Sequence, residues 1–182
     1  MSNPVVIGDP RLAKHIDDEI DGEVLFDAYS RGLYATDASI YQIEPIGVTI
    51  PRSHADVAKI MSIAADNGVP VLPRGGGTSQ CGQTVGRAVV MDGSRHLNPV
   101  VELDLQEQTA WVEPGVVLDE LNAYLKPHGL WFPVDVSTGS RATIGGMGGN
   151  NSCGARSLHY GTMRDNVIAI EALLADGAMR RR

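Results

Sequence analysis

The residues best suited to bind a ligand form a glycine-rich segment that follows an apolar run. It reads Pro-Arg-Gly-Gly-Gly-Thr-Ser-Gln-Cys-Gly-Gln over residues 73–83. Three consecutive glycines carry no Cβ, so successive backbone N–H groups can converge on an anion. Thr78 and Ser79 add hydroxyl donors, and Arg74 adds a positive charge. The segment therefore predicts a phosphate cradle, and the alternative is a flexible glycine turn that joins two strands.

Two familiar phosphate motifs do not describe this segment. No Gly-Lys-Ser/Thr follows to reach a γ-phosphate and Mg²⁺, so it is not the phosphate-binding loop of nucleoside triphosphatases. No helical pattern begins directly after it, and no acidic residue closes a ribose site at the usual distance. The segment is therefore not a dinucleotide-binding fingerprint either.

A second glycine-rich segment covers residues 132–154. Glycines and hydroxyls are dense here, while Ile144 and Met147 keep the segment partly apolar. This composition suits backbone that packs against a large flat ligand and bonds its polar edge through amide groups. The alternative is a tight contact between a helix and its neighbour, which also needs small residues. Because one small domain carries two such segments, we favour the ligand.

The hydrophobic pattern before the first segment predicts a strand, a helix and a strand. Residues 46–50 form a β-branched run typical of a strand. Ser53 then caps a helix, with Asp56 at the acceptor position of a capping box, and Asn67-Gly68 ends it. Residues 69–72 form the next strand. This order favours a parallel crossover.

The remaining elements are predicted from shorter patterns. Residues 167–174 are apolar almost throughout, which predicts a strand covered on both faces. The arginines at 180–182 are not strand-like, so we expect no partner strand after it. The other predictions are a helix over 12–24, a loop over 30–34, a strand over 88–91, a hairpin of 100–104 with 109–113, and a helix over 116–125.

These elements predict an α+β fold of two lobes, with small mixed β-sheets flanked by helices. We expect residues 1–44 to be an N-terminal lead-in, residues 45–105 a first lobe with the glycine-rich loop, and residues 106–182 a second lobe. The second lobe is expected to be cut off before its end and before a substrate domain.

Composition and charge exclude several kinds of partner and location. A formal net charge of −7 argues against a surface that binds nucleic acid or anionic lipid. Two isolated cysteines cannot form a disulfide framework or a four-thiolate metal site, so we expect a reducing compartment and no bound metal. The first ten residues lack a signal-peptide pattern, and no apolar run approaches the roughly 20 residues of a membrane span. We therefore expect a cytoplasmic protein that is not transmembrane.

Taken together, the motifs resemble the FAD-binding domain of the vanillyl-alcohol-oxidase family, also called PCMH-type. Pro-Arg-Gly-Gly-Gly-Thr at 73–78 is followed by Pro-Val-Asp at 133–135, Ala-Thr-Ile-Gly-Gly at 142–146 and Tyr-Gly-Thr-Met-Arg-Asp-Asn-Val at 160–167. Within that family the order is most similar to the FAD-linked D-2-hydroxy-acid dehydrogenases, which include D-lactate, glycolate and D-2-hydroxyglutarate enzymes. The resemblance covers residues 25–177.

The resemblance implies FAD as cofactor and a set of residues that contact it. The loop from Arg74 would wrap the pyrophosphate through main-chain N–H groups, and residues near Val167 would lie at the adenine end. The implied cofactor-binding residues are Arg74, Gly75, Gly76, Gly77, Thr78, Ser79, Gly82, Gln83, Pro133, Asp135, Ser140, Thr143, Gly145, Gly146, Asn150, Ser152, Gly154, Val167 and Ile168.

The sequence departs from the family pattern in the loop itself. Relatives that bind flavin covalently through histidine carry that histidine where this chain has Thr78, and neither glycine-rich segment contains a histidine. Noncovalent FAD is therefore expected. Cys81 and Cys153 lie within the motifs, and the alternative is a thioether from one of them to the flavin.

The resemblance also implies the reaction of the parent protein. FAD would accept a hydride equivalent from a small D-2-hydroxy acid and leave the 2-oxo acid. In the family, substrate is held by basic and metal-binding residues of a later domain, so no catalytic residue is assigned here. The stretch at 34–41 is similar to the lead-in of proteins that carry an iron–sulfur module after that domain. The alternatives are an FAD-linked alcohol or sugar oxidase, and a cofactor-binding module without turnover.

Overall fold

The computed structural model describes residues 5–181, and its elements alternate between short helices and short strands. The helices are α1 (Pro10–Asp17), α2 (Ala28–Tyr34), α3 (His54–Asp66), α4 (Leu118–Leu125), α5 (Ile144–Asn150), α6 (Ser157–Tyr160) and α7 (Met163–Asn166). The strands are β1 (Glu23–Leu25), β2 (Gly47–Ile50), β3 (Val71–Arg74), β4 (Val89–Asp92), β5 (Val100–Asp104), β6 (Thr109–Val112), β7 (Glu171–Leu173) and β8 (Met179–Arg181).

The first lobe is built on a sheet of four strands in the order β1-β2-β4-β3. β2, β4 and β3 run parallel, and β1 pairs with β2 in the antiparallel direction. The predicted parallel crossover from β2 through α3 to β3 is therefore confirmed. β3 begins two residues later than expected, and its Pro73 is tolerated because β3 is an edge strand.

The α3 helix begins as the sequence indicates. Ser53 Oγ accepts from the N–H of Asp56 at 3.1 Å, which is the predicted cap. The Asp56 carboxylate does not return to the cap residue. It accepts from the N–H of Arg52 at 2.8 Å and of Asp21 at 3.3 Å, and so joins the helix to the preceding chain.

The core of the first lobe includes residues from the N-terminal lead-in. Leu12 and Ile16 of α1 are buried against Ile60 and Ile63 of α3 and Val89 of β4. Residues before position 44 therefore pack as part of this lobe.

Two predictions for the N-terminal region are wrong. The helix expected over 12–24 ends at Asp17, and residues 23–25 form β1, because the chain turns at Gly22 to pair with β2. A Cβ at Gly22 would overlap the carbonyl oxygen of Ile50, so this approach requires glycine. The loop expected over 30–34 is α2, which Asp27 caps by accepting from the N–H of Ser30 at 2.9 Å. No residue of α2 is buried, so it lacks the apolar periodicity that predicts a helix.

The second lobe contains the predicted hairpin and helix. β5 and β6 pair in the antiparallel direction with an irregularity between Val100 and Glu102. The α4 helix buries Leu118, Leu121 and Leu125, which is the predicted face. The second glycine-rich segment, for which the sequence predicts no helix, contains α5. Glycine disfavours helices, and here the Thr143 cap and the buried side chain of Met147 compensate.

The C-terminal prediction is wrong in two respects. The strand expected over 167–174 is limited to β7, and Ile168 is 82% exposed instead of covered. β7 also has a partner, because Asp176-Gly177 turns the chain and β8 pairs with β7 in the antiparallel direction.

Candidate functional site

The glycine-rich loop begins where β3 ends, at the carboxyl edge of the parallel strands. In the described part of the chain, no acceptor receives the backbone N–H groups of residues 75–79. The carbonyl oxygen of Gly77, by contrast, accepts from the N–H of Ala38 at 3.1 Å. Gly77 has φ +63, a left-handed conformation that favours glycine. This loop presents several unsatisfied donors together, which is what an anion requires.

Arg74 holds the base of the loop. Its Nη1 lies 3.2 Å from the carbonyl oxygens of Tyr34 and Thr84, and its Nη2 lies 2.8 Å from that of Thr36. The guanidinium also lies 5.2 Å from the centroid of the Tyr34 ring. Among residues 5–181 no carboxylate lies within ion-pair distance of it, and Asp92 is its register partner on β4.

The two glycine-rich segments meet at this loop. A Cβ at Gly75 would overlap the Thr143 hydroxyl, and a Cβ at Gly76 would overlap the carbonyl oxygen of Arg141. The backbones therefore approach as closely as glycine allows. This contact brings together the two motifs that the sequence singles out, although the sequence does not predict the contact itself.

A cavity of about 540 Å³ opens beside this contact, within the size range of ligand pockets. Its lining includes five of the predicted residues, which are Arg74, Gly75, Gly76, Ser140 and Thr143. Its other lining residues are Leu33, Tyr34, Asp92, Ser94, Val117, Glu120 and Arg141.

Sequence reasoning missed Asp92 although a signal exists. Asp92 ends β4 as Arg74 ends β3, and ligands bind at the carboxyl ends of parallel strands. Its carboxylate accepts from the Tyr34 hydroxyl at 2.6 Å, the Ser94 hydroxyl at 2.7 Å and the Ser94 N–H at 2.8 Å. Burial, together with the hydrogen bond to Asp92, raises the pKa of the Tyr34 phenol above its usual value. Tyr34 therefore remains a hydrogen-bond donor at neutral pH.

Other predicted residues form a second set of contacts. The side chain of Gln83 donates to Asn150 at 2.6 Å, which joins the tip of the loop to the end of α5. Ser79 and Gln83 are also hydrogen-bonded to each other. A Cβ at Gly154 would overlap the carbonyl oxygen of Asp135. The Gln83–Asn150 bond joins the two glycine-rich segments, and the Gly154–Asp135 contact folds the second segment back on itself.

Several backbone N–H groups of the second lobe that are predicted to contact the cofactor already donate to acceptors within the protein. The N–H of Gly145 donates to the carbonyl oxygen of Pro114 at 2.8 Å, and the N–H of Gly146 donates to Thr143 Oγ1 at 3.4 Å. The N–H of Ser152 donates to Met147 at 2.9 Å, and that of Val167 to Met163 at 2.9 Å. Direct bonds from these N–H groups to a ligand would have to replace or share existing ones.

Several predicted residues have no direct role in the cavity. Thr78, Gly82 and Pro133 do not line it, and Ile168 is largely exposed. Gly82 has φ +76 and lies against the Tyr41 ring. Cys81 and Cys153 are exposed thiols.

Within residues 5–181 no group of three or more His, Cys, Asp or Glu side chains could hold a metal ion. None of the helices in that range is long and apolar enough to cross a membrane.

The fold and the two facing glycine-rich segments define a two-lobed domain in which a run of backbone donors has no acceptor among the described residues. The sequence profile of a family described as FAD binding domain matches residues 45–181. The chain belongs to this family, and its cofactor is FAD.

Two relatives of known name are similar to most of this chain. The chain is 44% identical over 146 residues to D-2-hydroxyglutarate dehydrogenase of Pantoea ananatis, which covers 79% of this chain and 14% of the relative. It is 37% identical over 169 residues to the glycolate oxidase subunit GlcD of Bacillus subtilis, covering 90% of this chain and 36% of the relative. The chain thus spans well under half the length of these relatives.

Among solved structures, an alkyldihydroxyacetonephosphate synthase superposes with a TM-score of 0.82 at 23% identity. The match covers 92% of this chain and 37% of the synthase chain. It confirms the two-lobed α+β fold of the PCMH type.

Proposed function

We propose that the pyrophosphate of FAD binds to the backbone N–H groups of residues 75–79. The observation that carries this proposal is the run of donors without an acceptor in the described part of the chain. Charge-assisted hydrogen bonds to phosphate oxygens would satisfy them. The Arg74 guanidinium, bonded to three backbone carbonyl oxygens, holds the base of the same loop.

The remaining predicted residues are proposed to follow the cofactor away from the pyrophosphate. The Gly82–Gln83 turn would extend toward the flavin, and residues 133–140 would lie along the cofactor. Thr143 and the first turn of α5 would pack against the phosphate end. The others proposed to contact FAD are Gly145, Gly146, Asn150, Ser152, Gly154, Val167 and Ile168.

For the parent protein we propose oxidation of a small D-2-hydroxy acid to the 2-oxo acid. The names of the relatives support this class, since one is a D-2-hydroxyglutarate dehydrogenase and another a glycolate oxidase subunit. FAD supplies the hydride-accepting chemistry when bound. This chain's residues bind and orient the cofactor, and none of them is assigned to grip the substrate carboxylate.

The experiment separates cofactor binding from turnover. The purified chain is titrated with FAD, and the loaded protein is assayed for dye reduction with D-lactate, glycolate and D-2-hydroxyglutarate, with L-lactate as control. We expect a yellow protein that does not reduce the dye, because hydride transfer needs a substrate held against the flavin. Failure to bind added FAD would contradict the proposed cofactor site. Turnover would place a substrate site within these 182 residues.

A further inference from the structure

We infer that residues 34–42, which lie outside the part of the chain matched by the FAD binding domain family, belong to the cofactor site. They hold the glycine-rich loop in its anion-binding shape through Arg74, which is a positioning residue and not a phosphate ligand. The inference rests on the proposed placement of the pyrophosphate in the loop.

The first observation is where the donors of Arg74 point. Its two Nη atoms serve three backbone carbonyl oxygens, two in the segment at Tyr34 and Thr36 and one at Thr84, where the loop ends. The planar guanidinium can hold several acceptors at fixed angles, which a lysine ammonium cannot reproduce. Arg74 therefore ties both ends of the loop to the same stretch of chain.

The second observation is that the segment holds the loop independently of Arg74. The Thr84 hydroxyl donates to the Asp37 carboxylate at 2.8 Å, and the N–H of Ala38 donates to the carbonyl oxygen of Gly77 at 3.1 Å. The bond to Gly77 fixes a carbonyl in the middle of the loop on the side that faces the segment. The N–H groups of residues 75–79 are left without protein acceptors.

The third observation is that the segment is itself anchored to the sheet. The Tyr34 hydroxyl donates to Asp92 at 2.6 Å, and Asp92 ends β4, the neighbour of β3. The Tyr34 ring in turn lies 5.2 Å from the Arg74 guanidinium. Farther along, Tyr41 packs against the turn at Gly82. The loop is thus held from one side at its base, middle and tip.

The decisive test compares Arg74→Lys with Arg74→Met, with Arg87→Lys as the control because Arg87 is exposed. FAD affinity is measured by flavin fluorescence at several salt concentrations, at a temperature where every apoprotein is folded. If Arg74 positions the loop, both variants lose affinity about equally, by at least about tenfold. Their salt dependence then remains that of the wild type. Wild-type affinity in Arg74→Lys, or a reduced salt slope in Arg74→Met, would show that Arg74 acts as a charge on the phosphate.

Two further measurements test the inference: FAD affinity of Thr84→Val, and amide hydrogen exchange of the apoproteins. Thr84→Val removes the hydroxyl that bonds Asp37 and preserves the side-chain shape, so a loss of about two- to tenfold is expected. Amide hydrogen exchange of residues 75–84 in the apoproteins should be faster in Arg74→Lys and Thr84→Val than in Arg87→Lys. Unchanged exchange would overturn the inference without reference to FAD. Faster exchange in a chain that does not bind FAD at all would instead contradict the proposed function.

Discussion

Gly76 shows what a single position contributes to the site. A Cβ there would overlap the carbonyl oxygen of Arg141, and its N–H belongs to the set without acceptors. We predict that Gly76→Val lowers FAD affinity at least about a hundredfold, because the loop must move away from residues 141–143 and two or more bonds to phosphate are lost. Isothermal titration measures this change.

The matched control is Gly86→Ala, where the added Cβ would meet Leu72 at an ordinary 3.4 Å. Its affinity should stay near that of the wild type. A folded Gly76→Val protein with unchanged affinity would place the phosphate elsewhere.

Asp37 makes the free energy of unfolding depend on pH. Burial would raise its pKa, but hydrogen bonds from Ser39 and Thr84 outweigh burial and hold the pKa of the carboxyl below its ordinary value. A lowered folded-state pKa contributes stability above the ordinary carboxyl pKa of about 3.9, and this contribution is lost as the pH falls through the lowered value.

We therefore predict that the wild type is more stable than Asp37→Asn by about 1 kcal/mol at pH 7. This difference should shrink as the pH falls below about 4. Urea unfolding at a series of pH values measures it. A difference that stays constant down to pH 2 would show that the charge on Asp37 is not responsible.

At the scale of elements, α5 contains glycines that its own packing does not require. Gly148 and Gly149 have no atom within 4 Å of an added Cβ, and neither has a positive φ. Interior helical glycine costs about 1 kcal/mol relative to alanine. We predict that Gly148→Ala raises the apoprotein's unfolding free energy by up to that amount and lowers FAD affinity, because the cofactor is proposed to lie against α5.

Thermal unfolding with and without FAD separates the two effects. Gly32→Ala in α2 is the control, since Gly32 is also helical with open space around it. It should gain stability and keep its affinity. A stabilised Gly148→Ala protein with wild-type affinity would mean that the flavin does not approach α5.

The elements also show which signals in the sequence were sufficient. The crossover around α3, the β5–β6 hairpin and the buried face of α4 carry clear apolar periodicity, and each was predicted correctly. α2 buries nothing, and α5 is composed largely of residues that disfavour helices, so neither has a local signal. β8 has no local signal, because charged side chains hide a strand that the turn at residues 174–178 creates.

For the site, the sequence identifies the two glycine-rich segments but not the other residues that line the cavity. The contact of Gly75 and Gly76 with residues 141–143 joins the two motifs, and the sequence does not predict this contact. Tyr34, Asp92 and Ser94 belong to no glycine-rich motif. The end of a predicted strand is the one signal for Asp92, and Tyr34 of α2 reaches the cavity through its hydrogen bond to Asp92. Long-range pairing of this kind leaves little trace in a single sequence.

For the molecule as a whole, the cofactor is expected to be held by the closed arrangement of the two lobes and by no covalent bond. Thr78 stands where the resemblance to the family implies that a histidine would attach the flavin. We predict that acid precipitation releases all the yellow colour into the supernatant. Colour that stays with the precipitate would contradict this, and Cys81→Ser and Cys153→Ser variants would then identify the attachment site.

The contacts between residues 34–42 and the glycine-rich loop define what can be transplanted. A protein engineer who grafts this domain by its family boundaries would take residues 45–181. That graft would leave behind three carbonyl- and carboxylate-bearing partners of the loop, Tyr34, Thr36 and Asp37. It would also remove β1 and expose the edge of β2 to intermolecular pairing. Because Leu12 and Ile16 of α1 also belong to the core of the first lobe, the portable unit is longer than the family profile and includes α1.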